Sequence, residues 1–138
     1  MALVGTVDRL GLGTPSNQVA ALFGFDDVIV IVPLGMAVKP GFRASKKSQA
    51  ALHEVAAATD LTPEAVQAKW SDCVTIRLAD VQRAELRKSL QGGLFGTIGL
   101  MINDTEGRTQ DLLAHRSARE SLVDLLTSLL GDRFLSGT

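Results

Sequence analysis

One amphipathic stretch near the end of the chain constrains the fold more than any other feature. Between residues 117 and 134 the apolar side chains recur every three or four positions and would form one stripe on a helix: Ala118, Leu122, Leu125, Leu126, Leu129, Leu130 and Phe134. Ser117 and Glu120 have the spacing of a capping box at the helix start. Gly131 either ends the helix as a left-handed cap, with Phe134 folding back, or lies inside a longer helix. A stripe this apolar needs a large apolar surface to cover.

Composition excludes several classes of protein. The chain has 138 residues, enough for a single domain with a sizeable core. Hydrophobic residues make up 46% and charged residues 21%, which excludes a disordered chain. The net charge is −1, with five Phe, one Trp and no Tyr, whereas a nucleic-acid binder needs a cationic excess and aromatic stacking surfaces. We therefore expect no nucleic-acid partner.

The sequence also predicts a cytoplasmic protein without a transmembrane segment. The longest apolar run, residues 28–38, is too short to span a bilayer as a helix. The N-terminus lacks the basic head and long apolar block of a signal peptide. The single cysteine, Cys73, cannot form an internal disulfide, which agrees with a reducing compartment.

The first third of the chain is predicted to contain a weak or edge strand over residues 2–12 and a short helix over residues 19–23. A β-branched run at residues 28–32 predicts a strand. Pro33 and Gly35 follow it, and because proline donates no ladder hydrogen bond they indicate a bulge, an edge or a tight hairpin.

An alanine-rich insert over residues 44–70 is predicted to be helical. Thr62 fits the N-cap of its second helix, Pro63 the first helical position, and Glu64 the first turn, where an acidic side chain favours the helix dipole. The insert is too short for a domain of its own, so we expect a single domain over residues 1–138.

The second half of the chain is predicted to form a meander of four strands before the final helix. These strands cover residues 73–78, 81–90, 97–102 and 108–115, with Gly107 at a hairpin turn. The connections are too short for parallel crossovers, so the pairing is antiparallel. The predicted fold class is therefore α+β: a strongly bent antiparallel sheet, with a helical insert and a C-terminal capping helix.

This half of the chain resembles the pleckstrin-homology-like superfold, in particular small bacterial PH- or GRAM-like proteins. The residues that carry the resemblance are a strand, corner and strand at 74–86, the strand at 97–102, the turn ending at Gly107, and the helix at 122–134. In that family the final helix plugs one end of a strongly bent barrel. The resemblance implies a partly open PH-like barrel, but a shared fold does not by itself give a function.

The only dense group of charges is a basic cluster of four cations in nine residues: Lys39, Arg43, Lys46 and Lys47. If Ser45 caps the following helix, Lys46 and Lys47 occupy the first helical turn. The helix dipole disfavours cations there unless an anion binds at the same place. The alternative is a solvated loop with the helix beginning at Ser48. Membrane-binding relatives in the resembled superfold hold phosphoinositide headgroups with basic loops, which makes an anionic lipid a candidate ligand.

No residue pattern predicts catalysis, a cofactor or a metal site. His53 and His115 have no Cys, Asp or Glu at the spacing of metal ligands, and we interpret them as surface or capping residues. Cys73 opens a predicted strand, which favours a packed or edge thiol over a nucleophile.

Two functional hypotheses remain ahead of an enzyme. The first is a non-enzymatic binding or assembly module that uses a sheet edge or the insert helices to hold a protein partner or a second copy of the chain as a homodimer. The alternative is a peripheral binder of an anionic lipid or phosphate ligand through the basic cluster.

Overall fold

The computed structural model describes residues 3–12, 18–36, 43–58, 60–88 and 97–136. It is an α+β fold, as predicted. The strands are β1 (Leu3–Gly11), β2 (Gln18–Phe25), β3 (Val28–Met36), β4 (Val74–Arg77), β5 (Val81–Lys88), β6 (Thr97–Asp104), β7 (Thr109–His115) and β8 (Phe134–Leu135). The helices are α1 (Lys46–Ala56), α2 (Pro63–Lys69) and α3 (Arg119–Leu130).

The eight strands form one sheet in the order β4-β3-β2-β1-β7-β6-β5-β8. Every neighbouring pair is antiparallel except β5 and β8, which are parallel. Within the described ranges β4 and β8 are the two ends and do not pair, so the sheet stays open.

Two sequence predictions about the sheet are wrong. The first predicted strand is present as β1, but its edge alternative is wrong, since β1 lies between β2 and β7. β4 does not begin a four-strand meander, because it pairs with β3 and a short 3-10 helix at Leu78–Asp80 carries the chain away before β5 starts. Both errors concern which strands become neighbours, and strand pairing over long sequence separations leaves no local signal.

The sheet is strongly bent, as the sequence predicts. β4 and β6 are five strand spacings apart in the sheet order. In a flat sheet that is roughly 24 Å. Ile76 of β4 and Ile102 of β6 nevertheless line one groove. The bend brings the inner faces of both halves of the sheet onto one core, which α3 covers.

Strands β2 and β3 are buried on both faces. Leu22 and Ile29 belong to the inner core beneath α3, whereas Phe23 and Val30 belong to an outer core beneath α1 and α2. Strands covered on both sides have continuous apolar runs without polar alternation. For this reason the helix predicted over residues 19–23 is wrong, and that stretch is part of β2.

Pro33 interrupts the ladder without ending the strand. β3 continues to Met36, and the β2–β3 register shifts between Gln18 and Ala20, where Pro33 lies opposite Ala20. Of the bulge, edge and tight hairpin that the sequence left open, the structure shows the bulge.

The helical insert is confirmed at both of its helices. The Ser45 hydroxyl accepts a hydrogen bond from the Ser48 amide at 3.1 Å, and the Thr62 hydroxyl accepts one from Ala65 at 3.2 Å. Trp70 follows α2 and packs against Phe23 of β2, with ring centroids 5.9 Å apart. The insert therefore lies on the outer face of the sheet, opposite α3.

The terminal helix is shorter than predicted and begins differently. The 3-10 turn Arg116–Ala118 precedes α3, and the Ala118 N-cap provides no side-chain hydrogen bond, so the predicted capping box is wrong. Gly131, with φ +56°, ends the helix, and Phe134 folds back to pair with Ala84. The folded-back alternative is the one observed.

Helix α3 lies directly against backbone at two paired glycines. Gly5 of β1 lies opposite Gly24 of β2 in the sheet register. A Cβ added to Gly24 would lie 2.9 Å from Leu125 Cδ1 and 2.8 Å from Leu129 Cδ1, and one added to Gly5 would lie 3.0 Å from Leu125 Cδ1. The missing side chains leave room for two leucines, which allows the close approach of the helix.

Candidate functional site

The edge strand β4 carries the first candidate site. Among the strands that the structure describes, its one partner is β3, with Arg77 opposite Val28 and Val74 opposite Ile31. One residue further along the chain, the Leu78 amide donates to the Asp27 carbonyl at 2.9 Å. This last bond establishes which β4 residues bond to β3.

In an antiparallel pair, opposed residues alternate between hydrogen-bonded and non-hydrogen-bonded positions. Leu78 is hydrogen-bonded to β3, so Ile76 and Val74 also bond to β3. Thr75 and Arg77 therefore direct their backbone N–H and C=O groups away from the sheet. These are the groups to which a further strand would bond.

A groove of about 600 Å³ runs beside this edge, between β4 and the inner face of β6 and β7. Val74, Ile76 and Ile102 form its apolar part, and Val74 is 40% exposed. The remaining lining residues are polar or charged: Thr75, Arg77, Asp80, Asp104, Arg108, Thr109 and Gln110. The site thus combines outward-facing strand groups with an apolar floor and a polar rim.

Two of the four charged residues on the rim, Asp104 and Arg108, form an ion pair with each other. Arg108 Nε lies 2.8 Å from Asp104 Oδ2, and Arg108 Nη2 lies 3.0 Å from Glu106 Oε2. Asp104 also accepts the amides of Glu106 and Arg108, which shapes the hairpin that ends at Gly107, with φ +86°. By contrast, Arg77 forms no ion pair with any residue in the described ranges.

The corner after β4 is held by hydrogen bonds from another part of the chain. Arg133 Nη1 donates to the Leu78 carbonyl at 2.7 Å and to the Val81 carbonyl at 2.8 Å. The Thr105 amide donates to the Asp80 carbonyl at 2.9 Å. These bonds fix the end of β4, and a fixed edge loses little entropy when it binds.

The predicted basic cluster is only partly brought together. Lys39 lies outside the described residues. Ser45 caps α1, so Lys46 and Lys47 occupy the first helical turn, as the first alternative required, and both are exposed. Arg43 lines a cavity of about 300 Å³ together with Arg9 of β1, and neither Lys46 nor Lys47 is among its lining residues.

Sequence reasoning missed Arg9. It lies at a register shift in β1 between Val7 and Leu10, and its φ is +61°. No residue type in this stretch signals a left-handed position, because glycine or asparagine normally occupies one. Its proximity to Arg43 follows only from the packing of the insert against the sheet.

His115 ends β7 close to these arginines. Its Nδ1 accepts the Ser117 amide at 3.1 Å and lies 2.7 Å from the Ser117 hydroxyl, so it acts as a capping residue, as predicted. Burial lowers the pKa of His115 below the usual 6.5, and the charges of Arg9, Arg116 and Arg43 lower it further. The neutral ring, which can accept the Ser117 amide at Nδ1, is the favoured form.

Stability should therefore depend on pH through His115. A lowered folded-state pKa means that the unfolded chain binds the proton more tightly, so stability is retained above pH 6.5 and lost as the pH falls through the lower folded-state value. We expect the free energy of unfolding in urea to fall as the pH is lowered from about 7 through the usual histidine value of 6.5. His115→Asn retains an acceptor without a titrating ring and should flatten this slope; an unchanged slope would contradict the assignment.

Other predicted residues lie apart from both cavities. His53 is exposed on α1, and Cys73 is partly buried against the outer core. Within the described ranges no three His, Cys, Asp or Glu side chains are grouped to hold a metal ion. None of the helices described is both long and apolar enough to cross a membrane. Comparison of the chain with protein-family models, curated proteins and solved structures gave no match.

Proposed function

We propose that this protein is a non-enzymatic binding module that captures an extended segment of a partner protein by adding it to β4. The observation that carries the proposal is the outward direction of the Thr75 and Arg77 backbone groups beside the groove. In strand addition the main-chain hydrogen bonds supply affinity, and pockets for alternate side chains supply specificity. Both elements are present along this edge.

The geometry of the edge describes the segment that would fit it. Successive side chains of an added strand alternate between the two faces of the sheet. On the inner face they would meet Val74, Ile76 and Ile102, which favours apolar side chains at every second position. On the outer face they would lie beside Thr75 and Arg77, where the cation without an ion-pair partner in the described ranges favours an acidic side chain.

A PH-like identity for the domain belongs to the same proposal. It is supported by a strongly bent sheet, antiparallel from β1 through β7, and by a C-terminal helix that covers the inner core. The helical insert and the open sheet differ from a closed seven-stranded barrel. Among the described residues, the gap between β4 and the inner face of β6 and β7 leaves the edge that the proposed partner would use.

Arg77→Pro tests strand addition with little change to the fold. The φ of Arg77 is −74°, which proline accepts, and its amide points away from β3. The variant removes one outward donor and leaves the β3–β4 ladder intact. We expect peptides selected on the wild-type protein from a displayed library to bind the variant about tenfold or more weakly, as measured by titration.

Arg77→Ala is the matched control, because it removes the same side chain and keeps the amide. Its loss of affinity measures the charge alone and should be smaller than the loss in Arg77→Pro. Thermal unfolding of both variants checks that the edge remains folded. Equal binding by Arg77→Pro and the wild type, or a library that gives no binder, would contradict the proposal.

Light scattering shows whether a second copy of the chain occupies the edge instead. In that case the protein would associate in a concentration-dependent way, and Arg77→Pro would abolish the association.

A further inference from the structure

A second cavity lies on the outer face of the sheet, under the start of α1. Its volume is about 300 Å³, and residues from β1, β2, β3 and the insert line it: Asp8, Arg9, Val19, Leu34, Arg43, Ala44, Gln49 and Leu52. The two arginines come from segments far apart in sequence. A cavity of this size holds a small molecule.

The backbone at Arg9 is strained in a way that glycine would avoid. Its φ of +61° is in the left-handed region, where a side chain crowds the following carbonyl. The β1 register shifts at this point, so the bulge itself does not need an arginine. Strain of this kind is retained where the surrounding structure imposes it, and such positions cluster at functional sites.

A short chain of hydrogen bonds orients the Arg9 side chain. Arg9 Nη1 donates to the Ser117 hydroxyl at 3.1 Å, and that hydroxyl lies 2.7 Å from His115 Nδ1. Ser117 is further held by its own amide, which donates to His115. The guanidinium is thus positioned by the segment that leads into α3, rather than by its own strand alone.

We propose that the cavity between Arg9 and Arg43 binds the phosphate group of a small phosphorylated polyol, either a soluble metabolite or a lipid headgroup. Guanidinium groups bind phosphate through paired, charge-assisted hydrogen bonds. In the same lining, Asp8 and the Gln49 Oε1 offer acceptors for hydroxyl groups of the molecule that carries the phosphate. The Gln49 Nε2 already donates one hydrogen to the Ala44 carbonyl at 2.8 Å and has a second one to donate. Asp8 opposes a bare anion, so the lining favours a polyol phosphate over inorganic phosphate.

His115 provides a reporter of binding that is independent of affinity. The charged groups that face it are Arg9 from β1, Arg116 from its own turn and Arg43 from the segment before α1. An anion between Arg9 and Arg43 would offset two of these charges. By linkage, the pKa of His115 should rise when the site is filled.

Calorimetric titration with glycerol 3-phosphate and with inorganic phosphate at low salt tests the soluble ligand. Flotation with phosphatidylcholine vesicles, with and without phosphatidic acid, tests the lipid headgroup. We expect Arg9→Gly and Arg43→Ala to weaken binding about tenfold or more, and Arg9→Gly to unfold at the wild-type temperature or above, since it relieves the backbone strain. Lys46→Ala, on the exposed first turn of α1, is the control and should bind as the wild type does.

Each result bears on the proposal. The proposal is supported if glycerol 3-phosphate or the phosphatidic acid vesicles bind, if both arginine variants lose that binding, and if the His115 pKa measured by NMR rises. The probe that binds shows whether the ligand is a soluble metabolite or a lipid headgroup. No binding of either probe by the wild type, or equal binding by the arginine variants, overturns it. Peptide binding at β4 does not involve this cavity, so Arg9→Gly should leave it unchanged, and the two proposals can fail separately.

Discussion

Leu126→Ala is expected to lower the free energy of unfolding by about 2–5 kcal/mol. Leu126 is fully buried in the inner core, on the face of α3 that covers the bent sheet. The alanine side chain would leave a cavity in the core that both halves of the sheet share, and the sheet cannot close around it without further bending. Urea unfolding followed by far-ultraviolet circular dichroism gives the free energy directly.

Leu135→Ala is the control for this change. Leu135 is 44% exposed in β8, so the same substitution should alter stability by less than about 0.5 kcal/mol. Comparable effects at both positions would mean that α3 does not cover the core. A chain cut after His115 provides a stricter test, since we expect it to lose cooperative unfolding altogether. Cooperative melting of that fragment near the temperature of the intact protein would contradict the architecture.

Gly24→Val should lower the free energy of unfolding by about 1–3 kcal/mol. Valine is otherwise favoured over glycine in a strand, so the sign of the effect depends on space. A Cβ at this position would lie 2.8 Å from Leu129 Cδ1 and 2.9 Å from Leu125 Cδ1, before the two methyl groups are added. Helix α3 would have to move away from β2, and the inner core would loosen.

Gly99→Val separates this steric effect from strand propensity. Gly99 lies in β6, where an added Cβ would be 3.9 Å from the Arg87 carbonyl oxygen, an ordinary contact. Here valine should leave stability unchanged or raise it slightly. If the two glycines respond alike in urea unfolding, the close approach of α3 to Gly24 is not what determines the effect.

The sequence predicted those elements whose signal is local. The helical periodicity of the last stretch, the β-branched run of β3 and the Thr62-Pro63 start of α2 each depend on neighbours within a few residues, and each is confirmed. The predictions that failed depended on what packs from a distance. β2 does not alternate between apolar and polar residues, because α3 covers one of its faces and the insert covers the other. No residue before position 25 indicates that these helices will pack there.

The candidate sites divide in the same way. Arg43 was identified from its cationic neighbours, but in the structure it lines a cavity with Arg9, whereas Lys46 and Lys47 do not line that cavity. The β4 edge was not predictable, because its exposure depends on the pairing of β4 with β3 instead of β5. Alternation in the sequence shows which face of a strand is buried, but not whether the strand has one neighbour or two.

The position of the only tryptophan has a practical consequence. Trp70 packs against Phe23 in the outer core, with the two rings tilted by 40°, while α3 and the inner core lie on the opposite side of the sheet. Its fluorescence therefore reports release of the insert from the sheet, and circular dichroism reports the sheet as a whole. A single protein sample, followed by both signals, distinguishes a molecule that melts as one unit from one whose insert detaches first.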